Sequence, residues 1–215
     1  MSLITLTDPR SPISEAYRTL RTNLSFSSLD EPIKTLVVTS PAPDEGKSTT
    51  VANLAVTMAQ GGKQTILVDC DLRRPALHTL FDLSSEPGLT NLLLEEDGKP
   101  NLQNTQVEGL QVLSSGPLPP NPADLLGSQK LDRAIKLLAD QADILMFDAP
   151  PVVAVTDAAV LGAKVDGLLL VISAGKTRRD QAERAKELLE KANVRILGAA
   201  LTNAPKDSGM GSYYG

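Results

Sequence analysis

The chain has 215 residues, of which 41% are apolar and 22% charged, close to the average for globular domains. This composition excludes a disordered chain, and the net charge of −5 argues against a general nucleic-acid binder. The single cysteine, Cys70, excludes an internal disulfide and suits a reducing cytoplasm. No apolar run approaches the roughly 20 residues of a membrane helix. We therefore expect any membrane role to come through a partner.

The first predicted element is a helix over residues 14–28, with Ser14 as its N-cap. One stripe of this helix is apolar and contains Ile13, Tyr17, Leu20 and Leu24. A different face carries charges at every third position: Glu15, Arg18 and Arg21. The spacing alone leaves two interpretations of that face open, a solvated surface with weak ion pairs or a contact with another subunit.

Short apolar runs then alternate with helical patterns. The predicted strands cover residues 34–40, 64–69, 110–114, 143–148, 167–173 and 194–203, and their near-continuous apolar character is typical of strands buried on both faces. The predicted helices cover residues 47–60, 123–139, 156–164 and 177–192. This alternation predicts an α/β fold, a parallel sheet with helices on both faces. Residues 1–215 are expected to form one domain, because the Pro-rich stretch 114–122 is too short for a linker.

The segment Gly46-Lys47-Ser48-Thr49 follows the first strand and opens the next helix, as the core of a Walker A loop does. Backbone N–H groups and the helix N-terminus form a concavity there that suits phosphate oxygens. Lys47 can reach the β- and γ-phosphates, and the Ser48 hydroxyl can bind Mg²⁺. Pro41 replaces the first glycine of the consensus. An ordinary strand–helix turn would not explain a lysine and two hydroxyls in the first helical turn.

Three aspartates end two of the predicted strands. Asp69 and Asp71 lie at alternate positions and can face the same side. Asp148 follows four apolar residues, the Walker B pattern that holds a metal or its bound water. Each acid alone could be a loop acid or a helix cap, but all three face the crevice where parallel sheets bind ligands. Together they predict a phosphate and metal site.

The neighbours of these aspartates have simpler expected roles. Cys70 is expected to point away from the acids and to pack in the core. Arg73 and Arg74 could hold phosphate or a partner acid, or lie solvated. His78 has no partner visible in the sequence and is expected at the surface or at a helix end.

The chain resembles the bacterial tyrosine kinases of capsule and exopolysaccharide synthesis over nearly its whole length. The resemblance rests on SPISEAYRTLRTNLSF, VVTSPAPDEGKSTTVANLA, ILVDCDLRRP, SSGPLPPNPADLL and ILMFDAPP. It implies a P-loop NTPase fold and autophosphorylation on tyrosine with ATP and Mg²⁺. The expected catalytic residues are Lys47, Asp69, Asp71 and Asp148, and the expected metal ligands are Ser48, Asp69 and Asp148. The expected nucleotide-binding residues are Asp44, Glu45, Gly46, Lys47, Ser48, Thr49 and Asn203.

The resemblance also implies assembly into a ring, commonly an octamer. Residues 1–30 would form the oligomerisation helix, so Glu15, Arg18 and Arg21 are expected at a subunit interface. Residues 205–215 would form a flexible tail whose Tyr213 and Tyr214 enter the neighbouring subunit's active site. A membrane-bound activator would recruit the kinase to the inner face of the plasma membrane, where it would act on protein substrates. The chain is then either a stand-alone kinase or the kinase domain of a longer protein, and the tail is either truncated or holds a small tyrosine cluster.

Asp71 is the candidate base for the tyrosine proton, because it shares a strand face with Asp69 and can face the incoming ring. The alternative is that Asp71 only orients Arg73 or a metal-bound water. Two other functions compete with the kinase, a partition-type ATPase and an ATP-binding regulatory scaffold. Partition-type relatives carry a signature lysine where this chain has Ala42. The intact Lys47 and acids argue against the scaffold.

Overall fold

One seven-stranded sheet organises the computed structural model, which describes residues 3–27, 32–95 and 98–204. The strands are β1 (Thr35–Thr39), β2 (Thr65–Asp69), β3 (Gln103–Asn104), β4 (Leu110–Leu113), β5 (Ile144–Asp148), β6 (Gly167–Ser173) and β7 (Ile196–Thr202). Their order across the sheet is β3-β4-β2-β5-β1-β6-β7. Every neighbouring pair is parallel except β3–β4. The predicted α/β fold is confirmed.

Helices cover both faces of this sheet. They are α1 (Ile4–Thr7), α2 (Pro12–Phe26), α3 (Lys47–Gln60), α4 (Leu77–Phe81), α5 (Leu89–Leu94), α6 (Pro122–Gly127), α7 (Gln129–Ala139), α8 (Asp157–Gly162) and α9 (Arg179–Lys191). Alternate residues of β1 feed two separate cores, with Val37 in one and Leu36 and Val38 in the other. Helices α5 to α9 pack in the core of Val37, and α2, α3 and α4 pack in the other. None of the helices in the described part of the chain is long and apolar enough to cross a bilayer.

The start of the first long helix differs from the prediction. Helix α2 begins at Pro12, and Ser11 is its N-cap, since the Ser11 side chain accepts a hydrogen bond from the Ser14 N–H at 3.2 Å. Ser14 instead lies buried in the first turn. The predicted apolar stripe is also incomplete, because Ile13 at its amino-terminal end is 52% exposed whereas Leu24 is buried.

Two further predictions are wrong in detail. The single helix expected over residues 123–139 is divided into α6 and α7 by Ser128, whose backbone is extended and whose hydroxyl donates to the Leu125 carbonyl. The last strand is not buried on both faces. It pairs only with β6 and lies at the sheet edge, where Leu201 is 61% exposed. Its apolar run resembles a central strand, although no strand lies beyond it in the described residues.

The carboxyl ends of three central strands define the position of the site. In the register of β2 and β5, Asp69 lies directly opposite Asp148, and Val38 of β1 lies on the other side of Asp148. The chain leaves β1 at this same edge and returns through residues 40–46 into α3. The phosphate loop and the strand-end acids are therefore brought together by the parallel pairing.

Candidate active site

The phosphate loop turns sharply before α3. Gly46 has φ of +88° and Asp44 has φ of +58°, both in the left-handed region. A side chain at position 46 would be strained by that backbone conformation, which explains the glycine. Helix α3 begins at the next residue, Lys47, as the sequence predicts. The loop thus has the strand–turn–helix geometry that presents backbone N–H groups to phosphate.

Lys47 lies almost buried between two carboxylates. Its Nζ is 2.8 Å from Asp71 Oδ2 and 3.2 Å from Asp148 Oδ1, and it donates to Ser48 Oγ at 3.1 Å. Burial alone would lower the pKa of Lys47, but the charges of Asp148 and Asp71 outweigh it and raise the pKa. Lys47 is therefore held as a cation at the mouth of the loop.

Asp69 and Asp148 are fully buried side by side. Burial and then the charge of Asp148 raise the pKa of Asp69 to about 7. Hydrogen bonds from the backbone N–H groups of Leu77 and Ala76 counter this rise in pKa in part, and Asp69 also accepts from the Asp71 N–H. Burial also raises the pKa of Asp148, against the attraction of Lys47. Lys47 makes an ion pair with Asp148 but not with Asp69, so this pair of buried acids favours additional positive charge.

Asp71 holds the following turn as well as the lysine. Its Oδ1 accepts from the backbone N–H groups of Arg74 at 2.9 Å and Arg73 at 3.4 Å. The Arg73 guanidinium donates two hydrogen bonds, at 2.9 and 3.1 Å, to the buried carboxylate of Asp157 at the start of α8. Arg73 therefore binds a partner acid, one of the alternatives predicted for it.

The donor set fits a magnesium ion bound with nucleotide phosphates. Asp148 Oδ2 is buried and has no hydrogen-bond partner among the described residues, and the Ser48 hydroxyl lies beside Lys47. Oxygen donors of this kind suit Mg²⁺, which takes one or two protein ligands and completes its shell from phosphates and water. No group of three or more acidic, histidine or cysteine side chains in residues 3–27, 32–95 and 98–204 could hold a metal alone.

The other predicted nucleotide-binding residues lie in the loop or in the first turn of α3, except Asn203. Asn203 directly follows β7 with φ of +53°, and its side chain donates to Ser173 Oγ at 2.9 Å. The Thr49 carbonyl accepts from Asn53 inside α3. The carboxylate of Glu45 is buried in contacts with its own loop and with Thr177. Asp44 offers its carbonyl to Lys176.

Cys70 and His78 lie where the sequence predicts. Cys70 is fully buried in the core of Val37, which confirms its packing role, and burial raises the pKa of its thiol. His78 is half-buried in α4, a helix of five residues.

The three charged residues of α2 contact their own chain. Glu15 pairs with Arg18 at 2.7 Å, and Arg18 also donates to the Pro9 carbonyl. Arg21 donates to the Thr57 carbonyl in the last turn of α3, at 2.6 Å. Tyr213 and Tyr214 lie outside the described residues.

Sequence reasoning missed Asp157, Lys176 and Thr177. Asp157 follows a threonine at the start of a predicted helix, where an acid is ordinarily interpreted as a dipole partner. Lys176 and Thr177 lie more than 120 residues from the loop they contact, since their hydrogen bonds span 132 positions. Only the pairing of β1 with β6 brings these segments together.

The fold and the loop define a P-loop NTPase, and a family model described as "ParA: NUBPL iron-transfer P-loop NTPase" matches residues 33–203. The chain is 46% identical to tyrosine-protein kinase YwqD of Bacillus subtilis (strain 168), over 100% of this chain and 91% of that protein. The crystal structure of the chimerical protein CapA2B2 matches with a TM-score of 0.90 and 38% identity, over 95% of this chain and 90% of that one. The BceF tyrosine kinase domain matches with a TM-score of 0.87 and 34% identity, over 95% and 83% of the two chains.

The chain therefore belongs to the bacterial tyrosine-protein kinases, within the ParA-type P-loop NTPases. It is a protein-tyrosine kinase, and its family implies binding of a nucleotide with Mg²⁺.

Proposed function

We propose that this kinase autophosphorylates Tyr213 and Tyr214 between subunits and thereby regulates capsular or exopolysaccharide synthesis or export. The observation that supports it is the position of Lys47, shared by Asp148 and Asp71 at the mouth of the phosphate loop. Phosphate binding needs the lysine and one acid. A second carboxylate on the same ammonium supplies a group that can take the tyrosine proton.

The phosphate loop would bind the nucleotide through backbone N–H groups of residues 44–49 and the amino terminus of α3. Lys47 would turn from its carboxylates to the β- and γ-phosphates, where negative charge concentrates. Ser48 and Asp148, with Asp69 nearby, would hold Mg²⁺, which neutralises charge on the phosphates when bound. Asn203 would contact the nucleotide from the end of β7.

Asp71 would act as the base. A tyrosine hydroxyl with pKa near ~10 is protonated at neutral pH and must lose its proton late in transfer. The tyrosine oxygen bonds to the γ-phosphorus, the bond to the β,γ-bridging oxygen breaks, ADP leaves, and the proton passes to Asp71. When Lys47 moves to the phosphates, Asp71 Oδ2 is released from its ion pair and can accept that proton.

Lys47→Met tests the phosphate site. We expect tail phosphorylation to be abolished, because the charge that stabilises the transferring phosphoryl group is lost. Mass spectrometry of residues 205–215 after incubation with Mg-ATP measures this. Lys164→Met is the control, since Lys164 pairs with Asp132 on the surface and should leave phosphorylation unchanged. Undiminished phosphorylation in Lys47→Met would refute the assignment.

Asp71→Asn separates the base from the metal site. The variant should bind Mg-ADP normally but transfer slowly, because an amide keeps the shape of the carboxylate and cannot accept a proton. A Tyr213→Phe/Tyr214→Phe subunit should phosphorylate the tail of an Asp71→Asn subunit when the two are mixed. If Asp71→Asn loses nucleotide affinity as badly as Lys47→Met, Asp71 belongs to the metal site and not to proton transfer.

The proposal includes assembly and location. Glu15, Arg18 and Arg21 would meet neighbouring subunits in a ring, an octamer. A membrane-bound activator would recruit the kinase from the cytoplasm to the inner face of the plasma membrane, where it phosphorylates further proteins on tyrosine. Co-purification of the kinase with membranes only when the activator is present would test this location.

A further inference from the structure

Glu45 is a buried acid whose two oxygens both accept hydrogen bonds. It is 1% exposed, although it belongs to a loop that follows the carboxyl end of β1. Oε2 accepts from the Ala42 N–H at 2.9 Å, which closes the phosphate loop on itself. Oε1 accepts from the Thr177 hydroxyl at 2.5 Å, which joins the loop to a different segment. Burial of a carboxylate costs free energy unless hydrogen bonds compensate for the lost water. The hydrogen bonds to Glu45 supply that compensation and fix the position of its side chain.

That second segment is the strap, residues 173–178, which runs from the last residue of β6 to the start of α9. Lys176 Nζ donates to the carbonyls of Asp44 at 2.7 Å and Pro43 at 3.2 Å. The Thr177 oxygen also accepts from the Ser173 N–H at 2.9 Å, so it relays between the strap and Glu45. The strap therefore contacts the outer side of the phosphate loop through one lysine and one hydroxyl.

The end of β7 joins the same network. The Thr202 hydroxyl donates to the backbone carbonyl of Glu45 at 2.8 Å. The Thr202 methyl group would be 3.5 Å from a Cβ placed on Gly46, so this strand end lies directly against the loop. Asn203 donates to Ser173 Oγ and so ties β7 to the strap. The loop is thus supported both by the end of β7 and by the strap that follows β6.

We infer that Glu45 is a positioning residue that, with the strap, holds the phosphate loop in its nucleotide-binding shape. Two residues of the loop, Asp44 and Gly46, have left-handed backbones, which an unsupported loop would populate only in part. Apparent affinity falls by the fraction of molecules in the competent shape, so bracing the loop raises nucleotide affinity. The inference rests on the proposed function only in taking this loop as the nucleotide site.

Nucleotide binding by variants tests the brace directly. Mg-ADP affinity, measured by calorimetry, should fall about 10-fold or more in Glu45→Ala, because a charge-assisted hydrogen bond to the loop is lost. Thr177→Val should weaken binding in the same direction by a smaller factor. Glu45→Gln should recover part of the loss, since its amide oxygen can still accept from Ala42. The KM for ATP should rise with the dissociation constant, and kcat should change less.

Two controls separate positioning from general destabilisation. Glu183→Ala removes an exposed acid of α9 and should leave affinity unchanged. Asp166→Ala removes a carboxylate that accepts hydrogen bonds from two backbone N–H groups at the opposite end of the sheet. This variant should lower the melting temperature of the protein without lowering its affinity for Mg-ADP. Hydrogen exchange without nucleotide should be faster over residues 41–48 in Glu45→Ala and Thr177→Val than in either control.

Unchanged affinity and unchanged exchange in Glu45→Ala and Thr177→Val would overturn the inference. An equal loss of affinity in Asp166→Ala would also overturn it, because the effect would then be general. Wild-type protein that binds Mg-ADP but never phosphorylates its tail would contradict the proposed autophosphorylation and leave the brace standing.

Discussion

Arg73 shows at the scale of one residue how the segment after β2 is held. Its partner Asp157 is fully buried, while the Arg73 side chain is 41% exposed. The bidentate geometry gives the pair direction, and removal of the arginine would leave a buried charge unpaired. Because Asp71 accepts from the backbone N–H of Arg73, movement of this arginine would also disturb the acid beside Lys47.

Arg73→Ala should lower the free energy of unfolding by about 2 kcal/mol, less than for a fully buried pair because water reaches the arginine. Arg73→Ala/Asp157→Ala should be less destabilised than the sum of the single variants. Chemical denaturation measures both. The matched control is Arg178→Ala, since Arg178 makes the same bidentate contact with Asp180 on the surface and should change stability little. Equal losses in the two arginine variants would contradict this account.

At the scale of secondary-structure elements, a glycine allows α5 to lie close to the end of β4. A Cβ on Gly88 would lie 2.2 Å from both the Ser114 carbonyl oxygen and the Gly116 nitrogen. The backbone N–H groups of Leu89 and Thr90 donate to the chain just after β4, at 2.8 and 2.9 Å. The helix therefore begins in direct backbone contact with the strand end, which only glycine permits.

Gly88→Ala should lower the free energy of unfolding by about 3 kcal/mol or more, because backbone cannot move aside as a side chain can. Gly198→Ala is the control. It lies on the exposed edge strand, and nothing lies within 4 Å of its added methyl group. Thermal or urea unfolding of both variants measures the difference. A Gly88→Ala protein as stable as Gly198→Ala would show that the contact is looser than described.

At the scale of the whole molecule, helix α2 both packs against its own subunit and carries the charges of the proposed subunit interface. Arg21 donates to the last turn of α3, where a cation also complements the helix dipole. Among the described residues, the Arg18 side chain donates hydrogen bonds only to Glu15 and to the Pro9 carbonyl, both near the surface. A variant that removes both arginines would therefore mix loss of assembly with loss of stability.

If the proposed ring forms, Arg18→Ala should reduce the mass of the assembly with little change in melting temperature, because the contacts of Arg18 with its own chain are exposed and weak. Arg21→Ala should reduce the mass and also lower stability, by about 1 kcal/mol. Light scattering and thermal unfolding give the two readouts. Lys186→Ala, which removes an exposed pair on α9, should affect neither. A wild-type protein that is monomeric at all concentrations would contradict the proposed ring.

Local patterns in the sequence predicted much of the fold. Residues 47–60 and 167–173 were predicted with the bounds the structure has, because a glycine stop and a continuous apolar run mark those ends. The prediction of one helix over residues 123–139 was wrong, because a break at a single serine leaves the spacing of the apolar residues intact. The short elements α1, α4, α5 and β3 were missed, because a segment of six residues or fewer is too short to show a hydrophobic periodicity.

The sequence by itself determined the kind of loop, the acids at the strand ends and the family, because these depend on residue types at short spacings. The tertiary structure alone decided which partners those residues have. Asp157 for Arg73, Thr177 for Glu45 and Thr57 for Arg21 come from distant segments. Parallel pairing and helix packing bring these segments together, and no local pattern records the contact, because its geometry exists only after the chain has folded.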